Sequence, residues 1–242
     1  MEDSMALLNT ASNYQFSAVK VDELGASEYT LVTIAQDVSR SVSPYAREME
    51  KCLKTILESC QKSPRAENLM LRLVGFNASL TEFHGFKLLS DIDAAEYDDS
   101  LMPTGGTALF DAVQSSVEAT KDYAVILDDQ DFLVNAIVFV VTDGDDNSSS
   151  ATAASVKNAV DNAMREESLE SLTVVLVGVD DQNPMIGRYL QDFQKDANIT
   201  QFVGIGEATA GKLAKLANFI SQSISSTSQA LGSGSPSQLL TF

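Results

Sequence analysis

The stretch Ala136-Ile137-Val138-Phe139-Val140-Val141 is apolar at every position. Successive residues of a strand point to opposite faces, so a strand made of these must be covered on both. That is the place of a central strand in a parallel sheet with helices on each side. Thr173-Val174-Val175-Leu176-Val177-Gly178-Val179 repeats the pattern. Around these two runs, apolar residues recur at helical spacing: Ala108, Leu109, Ala112, Val113 and Val117; Val156, Ala159, Val160, Ala163 and Met164; and Leu213, Leu216, Ala217, Ile220 and Ile224. Strands alternating with helices predict a doubly wound, mostly parallel α/β sheet with right-handed crossovers and helices on both faces.

The other elements fit this frame. A strand is expected over about 30–36, then a helix capped by Ser43 with Pro44 at its first position, running to about Gln61 and halted by Ser63-Pro64. A strand at 69–76 is followed by a short one near 80–86. Too few residues separate them for a crossover helix, so the second should pair antiparallel as the one antiparallel edge strand. A helix near 184–195 and a strand near 201–205 complete the set. Residues 1–28 read as an N-terminal extension with one strand or a hairpin (Tyr14, Phe16, Ala18, Val19, Val21), 29–225 as the domain, and 226–242 as a flexible tail rich in Ser, Gly, Gln and Pro. Leu239-Leu240-Thr241-Phe242 has the composition of a terminal docking peptide, but a disordered end is the expectation.

Asp37-Val38-Ser39-Arg40-Ser41 stands directly after the apolar strand Leu31-Val32-Thr33-Ile34-Ala35. Alternate residues of an extended segment point the same way, so one carboxylate and two hydroxyls converge. Hard oxygen donors of this kind suit a magnesium-sized divalent cation. Thr104-Gly105-Gly106-Thr107 opens a helical stretch and offers a third hydroxyl, from Thr107 or Thr104. Val141-Thr142-Asp143-Gly144 closes the second apolar strand with another carboxylate. Both Asp37 and Asp143 follow the carboxyl end of a strand, where open α/β sheets bind ligands. Two carboxylates leave the ion electrophilic, with one position open to an outside oxygen. Each motif alone is weak; their order and context give them force.

Together the three stretches resemble the metal-ion-dependent adhesion site of a von Willebrand factor A domain, over about residues 29–225. Carried over from that family, the metal ligands are Asp37, Ser39, Ser41, Thr107 and Asp143, the family pattern favouring Thr107 over Thr104. The resemblance implies Mg2+, with Mn2+ or Ca2+ as alternatives, and a protein partner whose Asp or Glu side chain completes the coordination. It also implies an adaptor or assembly factor, in some members working with AAA+ ATPases. This chain has no Gly-rich phosphate loop ending in Lys-Ser or Lys-Thr, so it would not be the ATPase itself.

Two other functions are compatible with parts of this pattern. A magnesium-dependent phosphotransfer or hydrolytic enzyme would use aspartates after two strands. Phosphoaspartyl enzymes of the haloacid dehalogenase type need a second acid two residues after the first, where Ser39 stands. A nucleophilic serine would need a general base, and His84, the single histidine, is read as an ordinary surface or edge residue. No enzyme is expected. The other reading is a structural assembly component whose metal only stabilises the fold.

Charge limits the partners. Sixteen basic against thirty-four acidic residues give a net charge of −18, which disfavours nucleic acid and anionic membranes. The longest apolar stretch, about eight residues, is far short of a membrane span. Met1-Glu2-Asp3-Ser4 is acidic, so no secretory signal is expected there. Cys52 and Cys60 share one helical stripe with Met49, Leu53, Ile56 and Leu57, about 12 Å apart in rise, too far for a disulfide. Free buried thiols point to a reducing compartment, the cytoplasm. Asp145, Asp146, Asp180 and Asp181 are expected to cap helices and solvate loops rather than hold a second cation.

Overall fold

The structure is a computed structural model that describes residues 4–179, 183–235 and 238–242. Asp180 and Asp181 lie outside the described residues, as do Met1 to Asp3 and Pro236. Among the described residues, eight strands form one sheet: β1 (Met5–Asn9), β2 (Gln15–Val19), β3 (Glu28–Asp37), β4 (Leu69–Phe76), β5 (Leu80–Leu88), β6 (Leu133–Thr142), β7 (Leu172–Gly178) and β8 (Gln201–Gly204). Their spatial order is β1-β2-β5-β4-β3-β6-β7-β8. β4, β3, β6, β7 and β8 run parallel, while β4/β5 and β1/β2 are antiparallel. The helices are α1 (Ala46–Gln61), α2 (Leu109–Asp128), α3 (Ala153–Met164), α4 (Pro184–Asp196) and α5 (Ala210–Ser233).

The two-faced strand β6 is buried from Val134 to Thr142. Ile137, Phe139 and Val141 pack with α1 and α5 residues such as Ile56, Leu57, Leu216 and Ile220. Val138 and Val140 pack on the opposite face with Leu109, Val113, Val156 and Val160. One polar residue inside this strand is fully partnered: Asn135 accepts from Thr30 Oγ1 at 2.7 Å and donates to the Thr227 carbonyl of α5 at 2.7 Å. Buried polar groups of this kind are tolerated only when bonded.

From β3 the chain crosses through α1 to β4 on one side, and from β6 through α3 to β7 on the other. The winding therefore reverses between β3 and β6. The crevice beyond their carboxyl ends is the ligand-binding position of such sheets.

Several expectations are corrected. β5 is antiparallel to β4 but is no edge, because β2 pairs with it through Ala18 and Phe86, and β1 lies outside β2. Burial drives this: Phe16, Ala18 and Phe86 pack with Tyr123 of α2, with Phe16 and Phe86 edge-to-face at 6.4 Å. His84 is accordingly buried, not a surface residue; its ring stacks on Tyr97 and one nitrogen meets the Tyr97 hydroxyl at 2.7 Å. Ser43-Pro44 does not start α1. A 3-10 segment spans Arg40–Tyr45, Ser43 Oγ donates to the Arg40 carbonyl, and α1 begins at Ala46. The last helix continues past residue 225 to Ser233 and ends on Gly234, whose φ of +64° supplies the left-handed cap that glycine adopts without penalty. The tail end is not a free end: Leu240 packs on the core and Phe242 meets Phe219.

Cys52 and Cys60 are free and buried on α1, as their spacing predicts. No described helix is long and apolar enough to cross a membrane.

Candidate metal centre

Asp37 is the last residue of β3 and is fully buried. Its Oδ1 accepts the Ser39 backbone N–H at 2.7 Å and its Oδ2 accepts the Thr142 hydroxyl at 2.7 Å. The second of these bonds ties the ends of β3 and β6 together. Ser39 and Ser41 hydroxyls lie 2.9 Å apart, and Ser41 Oγ donates to Asp143 Oδ1 at 2.8 Å. Tyr45, buried at the end of the 3-10 segment, donates its hydroxyl to Asp143 Oδ2. That bond gives the irregular turn before α1 a purpose: it turns both Ser41 and Tyr45 toward Asp143.

The Thr104–Thr107 loop closes over this arrangement. Thr104 N–H donates to the Val38 carbonyl at 2.9 Å and Arg40 N–H to the Gly105 carbonyl at 3.3 Å. Gly105 sits at φ +74°, a conformation that L side chains rarely adopt. A Cβ on Gly106 would lie 2.4 Å from Ser148 Oγ and 2.5 Å from Asn147 Oδ1, so only glycine lets the loop approach the 147–148 turn. Thr107 is then clamped: its N–H donates to Asn147 Oδ1 at 2.8 Å, and its carbonyl accepts from the Asn147 and Ser148 N–H groups. Its hydroxyl ends 4.0 Å from where a Gly144 Cβ would stand. Thr104, in contrast, is exposed.

Hydrogen bonds therefore join Asp37, Ser39, Ser41 and Asp143 at the β3/β6 crevice, and the Thr107 hydroxyl lies beside Gly144, the residue after Asp143. Sequence reasoning missed those that hold them, Thr142, Tyr45 and Asn147. Thr142 carried a readable signal, a hydroxyl one residue before Asp143 on the same strand.

Asp146 caps α2, accepting from Phe110 N–H at 3.2 Å, a favourable place for a carboxylate at a helix N-terminus. Asp145 is exposed. Among the described residues, no three carboxylate, imidazole or thiol side chains gather where they could hold a metal ion. The donor set at the crevice is two carboxylates with hydroxyls. Those oxygens suit a hard cation by their chemistry, and their hydrogen bonds of 2.8 and 2.9 Å keep them together.

Burial pushes the Asp37 carboxyl up from 3.8 to about 6. Hydrogen bonds from Thr142 and Ser39 oppose the rise and the Asp143 charge adds to it. A cation beside the carboxylate would act in the opposite direction.

The sequence matches no protein-family profile and no curated protein. Solved structures do resemble the fold. The PilB minor pilin from Streptococcus sanguinis superimposes with a TM-score of 0.60 at 16% identity, over 93% of this chain and 67% of that one. The pilus adhesin SpaC from Lactobacillus rhamnosus GG gives 0.62 at 12% identity, over 88% and 31%. Proximal thread matrix protein 1 from the mussel byssus, with a zinc-occupied metal-ion-dependent adhesion site, gives 0.53 at 15% identity, over 81% and 46%. The fold is von Willebrand factor A-like. This chain spans from under a third to two thirds of those neighbours' length, and identities this low carry the fold alone.

Proposed function

We propose that this von Willebrand factor A-like chain is a non-enzymatic, metal-dependent protein-interaction module. Asp37, Ser39, Ser41, Thr107 and Asp143 would hold the ion, and a carboxylate of a partner protein would complete its coordination. The carrying observation is the hydrogen-bonded run of oxygens Asp37–Thr142 and Ser39–Ser41–Asp143 at the crevice where the sheet winding reverses. The neighbour with a zinc-occupied site supports a divalent ion in this fold. Hydroxyl and carboxylate oxygens are hard donors, which suit Mg2+, with Mn2+ or Ca2+ as alternatives. When bound, the ion supplies a Lewis-acidic point that takes an outside oxygen.

The residues of this chain do the positioning. Thr142 and the Ser39 N–H orient Asp37, Tyr45 and Ser41 orient Asp143, and the Asn147–Ser148 turn fixes Thr107. The Ser39 and Ser41 hydroxyls face each other and Asp143. His84, the single histidine, sits on β5 bonded to Tyr97 and the Gly85 carbonyl, which supports a binding role over hydrolysis. A reducing compartment, the cytoplasm, fits the two free thiols, which burial pushes up to about 12.

The test is calorimetric titration of Mg2+ into the wild type and Asp37→Ala, beside partner capture in magnesium and in chelator. Heat of binding in the wild type only, with a partner retained only by the wild type in magnesium, is the expected result. An identical partner set in all conditions would overturn the reading and leave the metal a structural role.

A further inference from the structure

The β1/β2 hairpin joins the sheet through a short seam. β2 pairs with β5 at Ala18 and Phe86, and beyond that point a side chain takes over from the backbone ladder. Glu82 Oε1 accepts the Ser17 N–H at 2.8 Å and the Ser17 hydroxyl at 2.6 Å. β4 is irregular here as well, its register against β5 shifting on both sides of Leu73. Irregularities of this kind re-aim neighbouring side chains. Between the hairpin, β4, β5 and the first turns of α2 lies a cavity of about 640 Å³, whose walls include Tyr14, Phe16, Arg72, Leu80, Glu82 and Asp111. That volume is in the range of small-molecule sites.

Arg72 is the unusual member of this lining. It is 1% exposed, and its Nε donates to Glu82 Oε2 at 2.7 Å. Its guanidinium carbon stands 5.9 Å from the centre of the Phe16 ring, within reach of a cation–π contact. A guanidinium carries five N–H donors. The buried Nη1 has no acceptor among the described residues, and an unmade bond from a charged donor is costly. The two carboxylates of the cavity are in the opposite condition. Glu82 accepts three bonds, from the Ser17 N–H, the Ser17 hydroxyl and Arg72. Asp111 also accepts three, from the Tyr14 hydroxyl and the Ser150 and Ala151 N–H groups. An ionised carboxylate has about four lone-pair sites, so each keeps one.

These walls call for an oxygen that accepts at Arg72 and for protons donated to Glu82 and Asp111. A hydroxyl group does both. An anion would meet two carboxylates in a chain of net charge −18, and a cation would meet a buried guanidinium. An apolar ligand would leave Nη1 unbonded. We propose that this cavity binds a small uncharged polyhydroxylated ligand of mono- or disaccharide size. Arg72 donates to one of its oxygens, and its hydroxyls donate to Glu82 and Asp111. The site shares no residue with the five expected metal ligands, so neither reading stands or falls with the other.

The test is a nitrogen-15 titration of the full chain in chelator, with neutral sugars as probes: glucose, galactose, mannose, N-acetylglucosamine, sucrose and lactose. At least one should give saturable shifts at the Arg72 Nε–H and the Ser17 amide. Arg72→Met keeps an unbranched stem against Phe16 but removes the donors, and should weaken that sugar about tenfold or more. Should this variant lose its cooperative melt, Gln15→Trp puts a bulky ring on an exposed residue of the cavity wall and should weaken binding by a similar factor. No saturable response to any of the six sugars would overturn the proposal, as would equal binding by wild type and a folded variant. Saturable shifts at Arg72 with acetate or phosphate and none with sugars would also overturn it, by assigning the guanidinium to an anion.

Discussion

Replacing Asp37 by Asn should stabilise the metal-free chain at neutral pH and abolish its response to magnesium. Asp37 is fully buried, and burial raises its carboxyl from 3.8 to about 6 in the folded chain. Below pH 3.8 the group is protonated both folded and unfolded and contributes nothing. Between 3.8 and about 6 the unfolded chain ionises first, so stability falls as pH rises; above about 6 the loss is complete. That interval corresponds to about 3 kcal/mol, at 1.36 kcal/mol per pH unit. Asparagine preserves the shape: its Oδ1 can accept the Ser39 N–H, while its amide donates to Thr142 Oγ1, a hydroxyl that can turn to accept. Losing the charge on those bonds costs about 1 kcal/mol, leaving a net gain of about 2 kcal/mol at pH 7.5. Urea midpoints of both proteins at pH 4 and pH 7.5, in chelator and then in magnesium, give the assay. In chelator the gap between variant and wild type should open as pH rises. In magnesium the order should reverse, since ligand at a hundred times its Kd adds about 2.7 kcal/mol to the wild type alone. A gap unchanged between the two pH values would refute burial as the origin of the penalty. Equal stabilisation of both proteins by magnesium would refute an ion held at Asp37.

Thr107→Val should weaken magnesium binding at least tenfold, while Thr104→Val leaves it within twofold; calorimetric titration separates the two hydroxyls. Tyr45→Phe removes the hydroxyl that orients Asp143 and should cost about 10–100-fold in metal affinity with little change in fold, read by titration and circular dichroism. Burial lowers His84 below its ordinary 6.5. As pH falls through 6.5 the unfolded chain therefore takes up a proton first, and stability declines toward the folded-state value. His84→Phe should flatten that acid-side loss in thermal melts between pH 7 and 5; an unchanged slope would place the loss on other groups.

The parts of this molecule that could be read from its sequence are those whose signal is local. Two strands apolar on both faces predict a helix-covered parallel sheet, and β6 and β7 sit there. Helical stripes predict which faces of α2, α3 and α5 are buried, except that Met164, the last residue of α3, is exposed. The Asp37-Ser39-Ser41 spacing predicts a common direction from an extended backbone. Ser39 and Ser41 do meet, but Ser41 stands in the 3-10 segment and is placed by its bonds to Ser39 and Asp143, not by strand alternation. The other misreadings involve a partner far along the chain. Residues 15–19 alternate clearly, yet nothing local says that Ala18 pairs with Phe86 and so removes β5 from the edge, which buries His84. Ser43-Pro44 has the chemistry of a helix start. The start is displaced because Ser41 and Tyr45 are drawn to Asp143, 102 and 98 residues away. The tail is polar and glycine-rich up to Ser235, and that composition says nothing of Gln201 or Phe219, which hold its end. The residues that arrange a site thus follow a different rule from those that line it. Asp37 and Asp143 announce themselves by standing past strand ends. Tyr45 reads as one more apolar helix residue until the fold brings a carboxylate to its hydroxyl, so the supporting contacts of a metal centre become legible only once the sheet order is known.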